Sequence, residues 1–209
     1  MKNEKQSEFY RLCSTDYEKD KLEERDLINK ILSGDQRSFK TFIENYKNLV
    51  AHITFKMIDN PADREDICQD VFINVYRNLA QFQFNSKVST WVAKITYNIC
   101  INHLRKKRPE LISSDNSEDV WDSFQGDAVQ PDKFASQAET SDIITSMMNK
   151  LPETYRTLLT LYHIEGMSYR EIGEITELPE GTVKSYIFRA RKQLKDCLLK
   201  AFKKDELNV

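Results

Sequence analysis

Three groups of side chains in this 209-residue sequence are of a type and spacing that can do chemistry. The first is acidic. Asp66, Gln69 and Asp70 stand at three- and four-residue spacing, with Asp63 just before them. On a helix that spacing puts Asp66, Gln69 and Asp70 on one face, where they can meet a basic partner or begin a cation site. The second group is the block Arg105-Lys106-Lys107-Arg108. The third is the stretch Thr182–Lys204, which carries eight Lys or Arg and one acid, Asp196. Each basic block ends a segment with helical apolar periodicity, and two such blocks point to a polyanionic partner. The net charge of −2 conceals them, because Pro109 to Asp132 holds seven acids and no Lys or Arg. Blocks of this kind create local fields that whole-chain charge averages away.

Composition excludes much else. Charged residues make up 31% of the chain and hydrophobic residues 40%, enough for a core and against global disorder. Five glycines and five prolines are too few for a turn-rich β architecture. No apolar run approaches the roughly 18 residues of a membrane span. The start MKNEKQSEF lacks the apolar stretch of a signal peptide, so the expectation is a cytoplasmic chain without membrane insertion. Cys13, Cys68, Cys100 and Cys197 form no CxxC pair and no Cys/His cluster at zinc spacing. No disulfide scaffold, no metal site, no cofactor and no catalytic residue set is expected.

The elements that must position these groups are all helical. Leu27, Ile28, Ile31 and Leu32 form a short stripe that Gly34 can end in the left-handed conformation. Asp35 can cap a second helix carrying Phe39, Phe42, Ile43, Tyr46, Leu49, Val50, Ile53 and Met57. Asn60-Pro61 supplies an N-cap and a first-turn proline for a third, with Ile67, Val71, Phe72, Val75 and Leu79 inward. Phe82 to Val88 breaks the period and reads as a loop. A fourth helix starts near Ser89-Thr90 and runs through Trp91, Val92, Ile95 and Ile99 to the basic block, stopping at Pro109. Further on, Ile143, Ile144, Met147 and Leu151 mark one helix, and Pro152 opens another that Gly166 ends. Ser168-Tyr169-Arg170-Glu171 is a capping box. It starts a short helix, and a long one follows from about Glu180. No strand-like alternation occurs. The expected fold is all-α, with two small helical domains joined by an acidic flexible linker.

The expected organisation is a polar extension over 1–24, a first domain over 25–108, the linker over 109–135, a second domain over 136–204 and a tail over 205–209. The linker also carries Trp121 and Phe124, which can dock elsewhere.

A short capped helix, a tight turn and a long basic helix make a helix-turn-helix. At 100° per residue, Lys184, Ser185, Phe188, Lys192 and Lys195 share the face opposite Val183, with Arg189 at its border. Cations there can pair with phosphates or guanine edges, and Phe188 can contact a thymine methyl. Thr182, at the helix start, offers an amide and a hydroxyl to a phosphate.

These residues resemble bacterial RNA polymerase sigma factors of the extracytoplasmic-function group. Leu151-Pro152-Glu153, Gly166 to Gly173, Pro179 to Ser185 and Phe188-Arg189-Ala190-Arg191 resemble the domain that reads the promoter −35 element. Asp66 to Phe72 resembles the polymerase-binding helix. Thr90 to Ile95, with Asn98 and His103-Leu104-Arg105, resembles the −10-reading helix. The resemblance implies a non-catalytic promoter-recognition subunit whose partners are core polymerase and promoter DNA, with an anti-sigma factor as a further partner. It assigns Asp66, Gln69 and Asp70 to polymerase docking. It assigns Asn78, Phe82 and Asn98 to capture of unstacked −10 bases, and Trp91, Lys94, Arg105, Lys106 and Lys107 to holding DNA. Thr182, Lys184, Ser185, Phe188, Arg189, Arg191 and Lys192 would read or grip the −35 duplex. Three positions depart from the family's pattern. Asn102 replaces an acid, Glu177 replaces a Gly or Asn suited to a left-handed turn, and Tyr186 replaces an Arg, which puts one phosphate contact in doubt.

The 27-residue linker spans at most roughly 90–97 Å when extended. A promoter spacer of about 17 base pairs needs roughly 58 Å, so the reach suffices. Two other readings remain open from sequence. A freestanding helix-turn-helix regulator would need no acidic docking helix. A nucleic-acid enzyme built on Asp63, Asp66 and Asp70 would need metal ligands from elsewhere, since one helical face rarely completes a magnesium site.

Overall fold

The computed structural model describes residues 22–107 and 146–206, with side chains to 199 in the second segment. The expected linker with Trp121 and Phe124, the N-terminal cysteine Cys13 and the chain's last residues lie outside the described residues. Among the described residues every regular element is a helix.

In the first segment, α1 covers residues 22–32 and α2 is Gln36–Met57. Gly34 takes φ +94, and the Asp35 amide reaches back to the Lys30 carbonyl at 3.0 Å, closing the turn as expected. Asp35 then caps α2, accepting from the Arg37 amide at 3.0 Å and the Ser38 hydroxyl at 2.7 Å. Residues 22–24, read from sequence as part of the polar extension, belong to α1, and the Tyr46 hydroxyl donates to the Glu24 carboxylate at 2.6 Å. α3 is Pro61–Asn78, capped by Asn60, whose side chain accepts from the Ala62 amide at 3.0 Å. A 3-10 turn, Leu79–Gln81, leads into the loop. α4 is Val88–Lys107, beginning a residue or two earlier than the periodicity predicts. Phe42, Ile53, Val71, Val75, Val92 and Ala93 form the centre of this bundle.

In the second segment, residues 146–149 are the described part of α5. α6 is Glu153–Leu159 and widens into a π-helical turn, Thr160–Ile164, which Gly166 ends at φ +62. α7 is Tyr169–Thr176 and α8 is Glu180–Glu206. The capping box forms in full: the Glu171 amide donates to Ser168 Oγ at 3.2 Å and the Ser168 amide to Glu171 Oε2 at 2.8 Å. Glu177 ends α7 at φ 61 and ψ 25, the left-handed conformation in which the family pattern has Gly or Asn. Such a conformation costs a non-glycine residue about 1–2 kcal/mol. Leu158, Leu161, Ile172, Ile175, Val183 and Ile187 make the core.

The two domains do not stand apart. α4 packs on α7, and α2 packs on α6 and the π-turn. One continuous apolar cluster runs through both.

The turn between α7 and α8 is close. A β-carbon on Gly173 would lie 2.8 Å from the Leu178 carbonyl oxygen, and that atom is backbone. Gly173→Ala is therefore expected to destabilise the chain by about 1–3 kcal/mol, the usual cost of overpacking. A denaturant midpoint equal to wild type would refute this account of the turn.

Candidate nucleic-acid interface

α8 divides cleanly. Val183, Tyr186, Ile187 and Ala190 are buried, and Lys184, Ser185, Phe188, Arg189, Arg191 and Lys192 are exposed. Phe188 is 70% exposed, more than any other large apolar side chain among the described residues. A lone exposed ring is ordinary on a surface. A ring among cations on the outer face of a helix-turn-helix can meet a thymine methyl while its neighbours take phosphates. Lys184 pairs with Glu180 at 2.7 Å, an exposed contact that a phosphate can replace at little cost. Ser185 donates to the Thr182 carbonyl at 3.0 Å, and half-buried Thr182 sits in the first turn. Tyr186, where the family pattern has Arg, packs its buried ring near Tyr155, with centroids 6.2 Å apart. That position makes core rather than a phosphate contact.

Sequence reasoning missed an aromatic group beside this face. Tyr162 and Tyr169 stack with centroids 4.8 Å apart and planes 15° apart. The Arg191 guanidinium lies 5.0 Å over Tyr162, and Lys184 lies 5.5 Å over Tyr169. A hydrogen bond with Tyr169 and the nearby Arg191 hold the Tyr162 hydroxyl below the usual phenol range. Arg191 Nε also donates to His163 Nε2 at 3.1 Å, so that nitrogen carries no proton. Burial, then Arg191, lowers the His163 pKa. The π-turn aims Tyr162 and His163 at α8, and π-turns recur at functional sites.

On the first domain, four of the predicted −10 residues, Trp91, Lys94, Asn98 and Arg105, follow one stripe of α4. Trp91 and Lys94 are half-buried, while Asn98, Arg105, Lys106 and Lys107 are exposed. Phe82 joins them from the loop, its ring 4.9 Å from Trp91 and 4.7 Å from Phe84. Phe84, which sequence reasoning passed over, sits at φ 58 under the Arg25 guanidinium at 4.8 Å. A bulky residue held there marks a loop fixed by its surroundings. Asn78 lies apart from this group in its bonding, because its side-chain amide donates to the Asn74 carbonyl at 2.8 Å. That leaves its carbonyl oxygen and one amide hydrogen for a base.

Asp66, Gln69 and Asp70 are all exposed on α3, opposite buried Ile67, Val71 and Val75. Ile73 and Tyr76 extend the outer side of α3 with apolar surface, 47% and 53% exposed. Asp63 does not join them. It pairs with Lys107 and, at 3.5 Å, with His103, tying the start of α3 to the end of α4. The Lys107 hydrogen bond leads the lowering of its pKa. The metal reading built on Asp63, Asp66 and Asp70 therefore loses one of its ligands, and no metal-binding group of three His, Cys, Asp or Glu occurs among the described residues. Cys68, Cys100 and Cys197 are free thiols, and burial pushes Cys100 up to about 12.

Comparison with known proteins agrees in both halves. The Sigma-70 region 2 model matches residues 42–110, and the Sigma-70 region 4 model matches 141–194. The extracytoplasmic-function RNA polymerase sigma factor SigW of Bacillus subtilis is 35% identical over 178 residues, 81% of this chain and 95% of that protein. The RNA polymerase sigma-H factor of Pseudomonas aeruginosa is 31% identical over 183 residues, 84% and 94% of the two chains. Among solved structures, the sigma factor RpoE in complex with the anti-sigma factor NepR from Bartonella quintana shares the fold with a TM-score of 0.60. That likeness has 21% identity and covers 78% of this chain and 97% of the other. CnrH, solved with the cytosolic domain of CnrY, has a TM-score of 0.57, 23% identity and coverage of 85% and 97%.

The two kinds of contact on α8 have different signatures. Phe188→Ala and Lys184→Ala are expected to weaken duplex binding in a base-dependent way, by about 1–3 kcal/mol for a good base contact. Arg191→Ala, which removes a cation held among tyrosines, is expected to weaken all duplexes alike. Affinities measured on a set of substituted −35 duplexes distinguish them, and a uniform loss from Phe188→Ala would refute base reading by that ring.

Proposed function

The chain belongs to the extracytoplasmic-function group of the sigma-70 family, and from that premise we propose how its residues divide the work of directing promoter-specific transcription initiation. Sigma factors of this family are not enzymes. They bind core RNA polymerase and promoter DNA, so what must be assigned is which surface meets which partner.

Core polymerase docks on the outer face of α3 through Asp66, Gln69 and Asp70. Three exposed acidic or amide groups on one helical face, free of a role in the bundle, suit a basic partner. The exposed face of α8 reads the −35 duplex. The stripe of α4 with the Phe82 loop takes the −10 element. No nucleotide-driven step is available to such a subunit, so opening relies on trapping bases as they unstack, with an aromatic surface and hydrogen-bonding amides on a positive platform. Phe82 offers the surface, Asn98 the donor and acceptor, and Lys94, Arg105 and Lys106 the charge. The Phe82–Trp91 pair carries this reading best: a half-buried aromatic platform, with exposed Asn98 two turns along α4 from Trp91. An anti-sigma factor is a further partner that fits this group of proteins. Among the described residues no helix is long and apolar enough to cross a membrane. The freestanding regulator is the weaker reading, since it leaves the acidic face of α3 without a purpose.

Two outcomes test the assignment. Asp66→Arg with Asp70→Arg is expected to leave the fold intact, because both side chains are exposed, and to abolish co-purification with core polymerase. Recovery at wild-type stoichiometry would exclude this face. Asn98→Ala and Phe82→Ala are expected to keep core and −35 binding and to lose opening of the −10 strand, with roughly 1–3 kcal/mol of stacking lost from Phe82. The check is permanganate reactivity of −10 thymines on duplex and pre-opened templates. Normal reactivity in both folded variants would exclude the pocket.

A further inference from the structure

The loop that carries Phe82 takes part of its shape from outside the −10 residues. Its two ends are held by backbone bonds, from the Phe82 amide to the Leu79 carbonyl at 3.2 Å and from the Trp91 amide to the Lys87 carbonyl at 3.1 Å. Between them Phe84 holds φ 58, a conformation that a bulky residue keeps only where its surroundings impose it. Two groups meet the Phe84 ring. Phe82 tilts against it with centroids 4.7 Å apart, and the Arg25 guanidinium lies over it at 4.8 Å. Phe82 in turn meets Trp91 at 4.9 Å. A chain of stacked planes thus runs from Arg25 through Phe84 and Phe82 to Trp91.

Arg25 stands on α1, and α1 is firmly placed. Ile28 and Ile31 are buried in the core of the first domain. Glu24, next to Arg25, accepts the Tyr46 hydroxyl of α2 at 2.6 Å. Burial, then the Glu24 carboxylate, raises the Tyr46 pKa, so the hydroxyl keeps its proton at neutral pH. One residue therefore pins the first turn of α1 to α2, and the next reaches the loop. Arg25 itself is exposed, and the core does not depend on its side chain.

We infer that Arg25 is a positioning residue for −10 base capture, acting through Phe84 on the Phe82 ring. The inference rests on Phe82 being the surface that receives the unstacked base. With the guanidinium in place, Phe84 is covered on one side by Arg25 and on another by Phe82, and its left-handed backbone is maintained. Without it, Phe84 can relax to an ordinary conformation, and the Phe82–Trp91 surface loses its backing. A planar guanidinium suits this role, because it stacks on an aromatic face in a way that an ammonium does not. A direct contact between Arg25 and a strand phosphate would need the charge alone.

The test uses the full chain reconstituted with core polymerase, and forked −10 DNA carrying each of the four bases at the captured position. Arg25→Ala is expected to weaken binding of the preferred base about two- to fivefold, the range that an exposed cation–π contact supplies. Affinity for the other three bases, for −35 duplex and for core polymerase is expected to stay at wild type. Arg25→Lys keeps the charge without the stacked plane and is expected to resemble Arg25→Ala. Phe84→Leu keeps apolar bulk and removes the ring, and a similar loss is expected. The double variant Arg25→Ala/Phe84→Leu is expected to lose no more than the worse single, because both act through one contact. Wild-type affinity in Arg25→Lys, or an equal loss for all four bases in Arg25→Ala, identifies a plain charge contact with the strand and overturns the positioning role. Additive losses in the double variant overturn it too. Phe82→Ala is run beside them. If it weakens fork binding while Arg25→Ala matches wild type, the −10 reading stands and this inference alone is refuted. If Phe82→Ala changes nothing, the −10 assignment itself falls, and the inference with it.

Discussion

The Glu171 carboxylate is where the two halves of the molecule depend on one group. Burial alone would raise its pKa. The Ser168 amide and hydroxyl, then Lys87, outweigh that and hold it at about 2. Its folded value is below the unfolded one, so its contribution is complete above about pH 4.5 and is lost as pH falls toward 2. At neutral pH the group is charged. With one oxygen it fixes the first turn of α7 and so the geometry of the helix-turn-helix. With the other it reaches Lys87 and Thr90 of the first domain. Local helix initiation and long-range domain contact thus share a side chain.

What was legible in the sequence is what depends on neighbours within a turn or two. Asp35, Asn60-Pro61 and Ser168/Glu171 announce helix starts because each cap is a contact between residues two or three apart. Gly34 announces a stop because its conformation is unfavourable for other residues. The outer face of α8 was legible because rotation along a helix is fixed by its geometry. The exposure of Asp66, Gln69 and Asp70 followed from the periodicity of Ile67, Val71 and Val75 on the opposite side.

The rest needed contacts that sequence spacing does not encode. Asp63 stood with Asp66 and Asp70 in the metal reading, yet its partners are 40 and 44 residues away on α4. Nothing in the acidic cluster signals that one member is already bonded. The stacked Tyr162 and Tyr169 join a π-turn to α7, and periodicity analysis, which assumes a constant helical turn, does not place them together. The closeness of the domains was hidden for a different reason. The linker composition suggests freedom, and the seam joins residues such as Thr90 and Glu171, 81 positions apart.

Glu177 shows how magnitudes separate stability from function at that seam. Its left-handed backbone costs about 1–2 kcal/mol that glycine or asparagine would largely avoid. It pairs across the seam with Lys94, and the Glu177 side chain is 73% exposed. An exposed pair returns about 0–1 kcal/mol. The contact therefore does not repay the strain, and fold stability alone does not account for a glutamate at this position. A carboxylate there places negative charge beside Lys94, where the uncharged residues suited to the backbone conformation would place none. The energetic imbalance is small enough for a folded chain to tolerate. It falls at the one turn of the helix-turn-helix that faces α4.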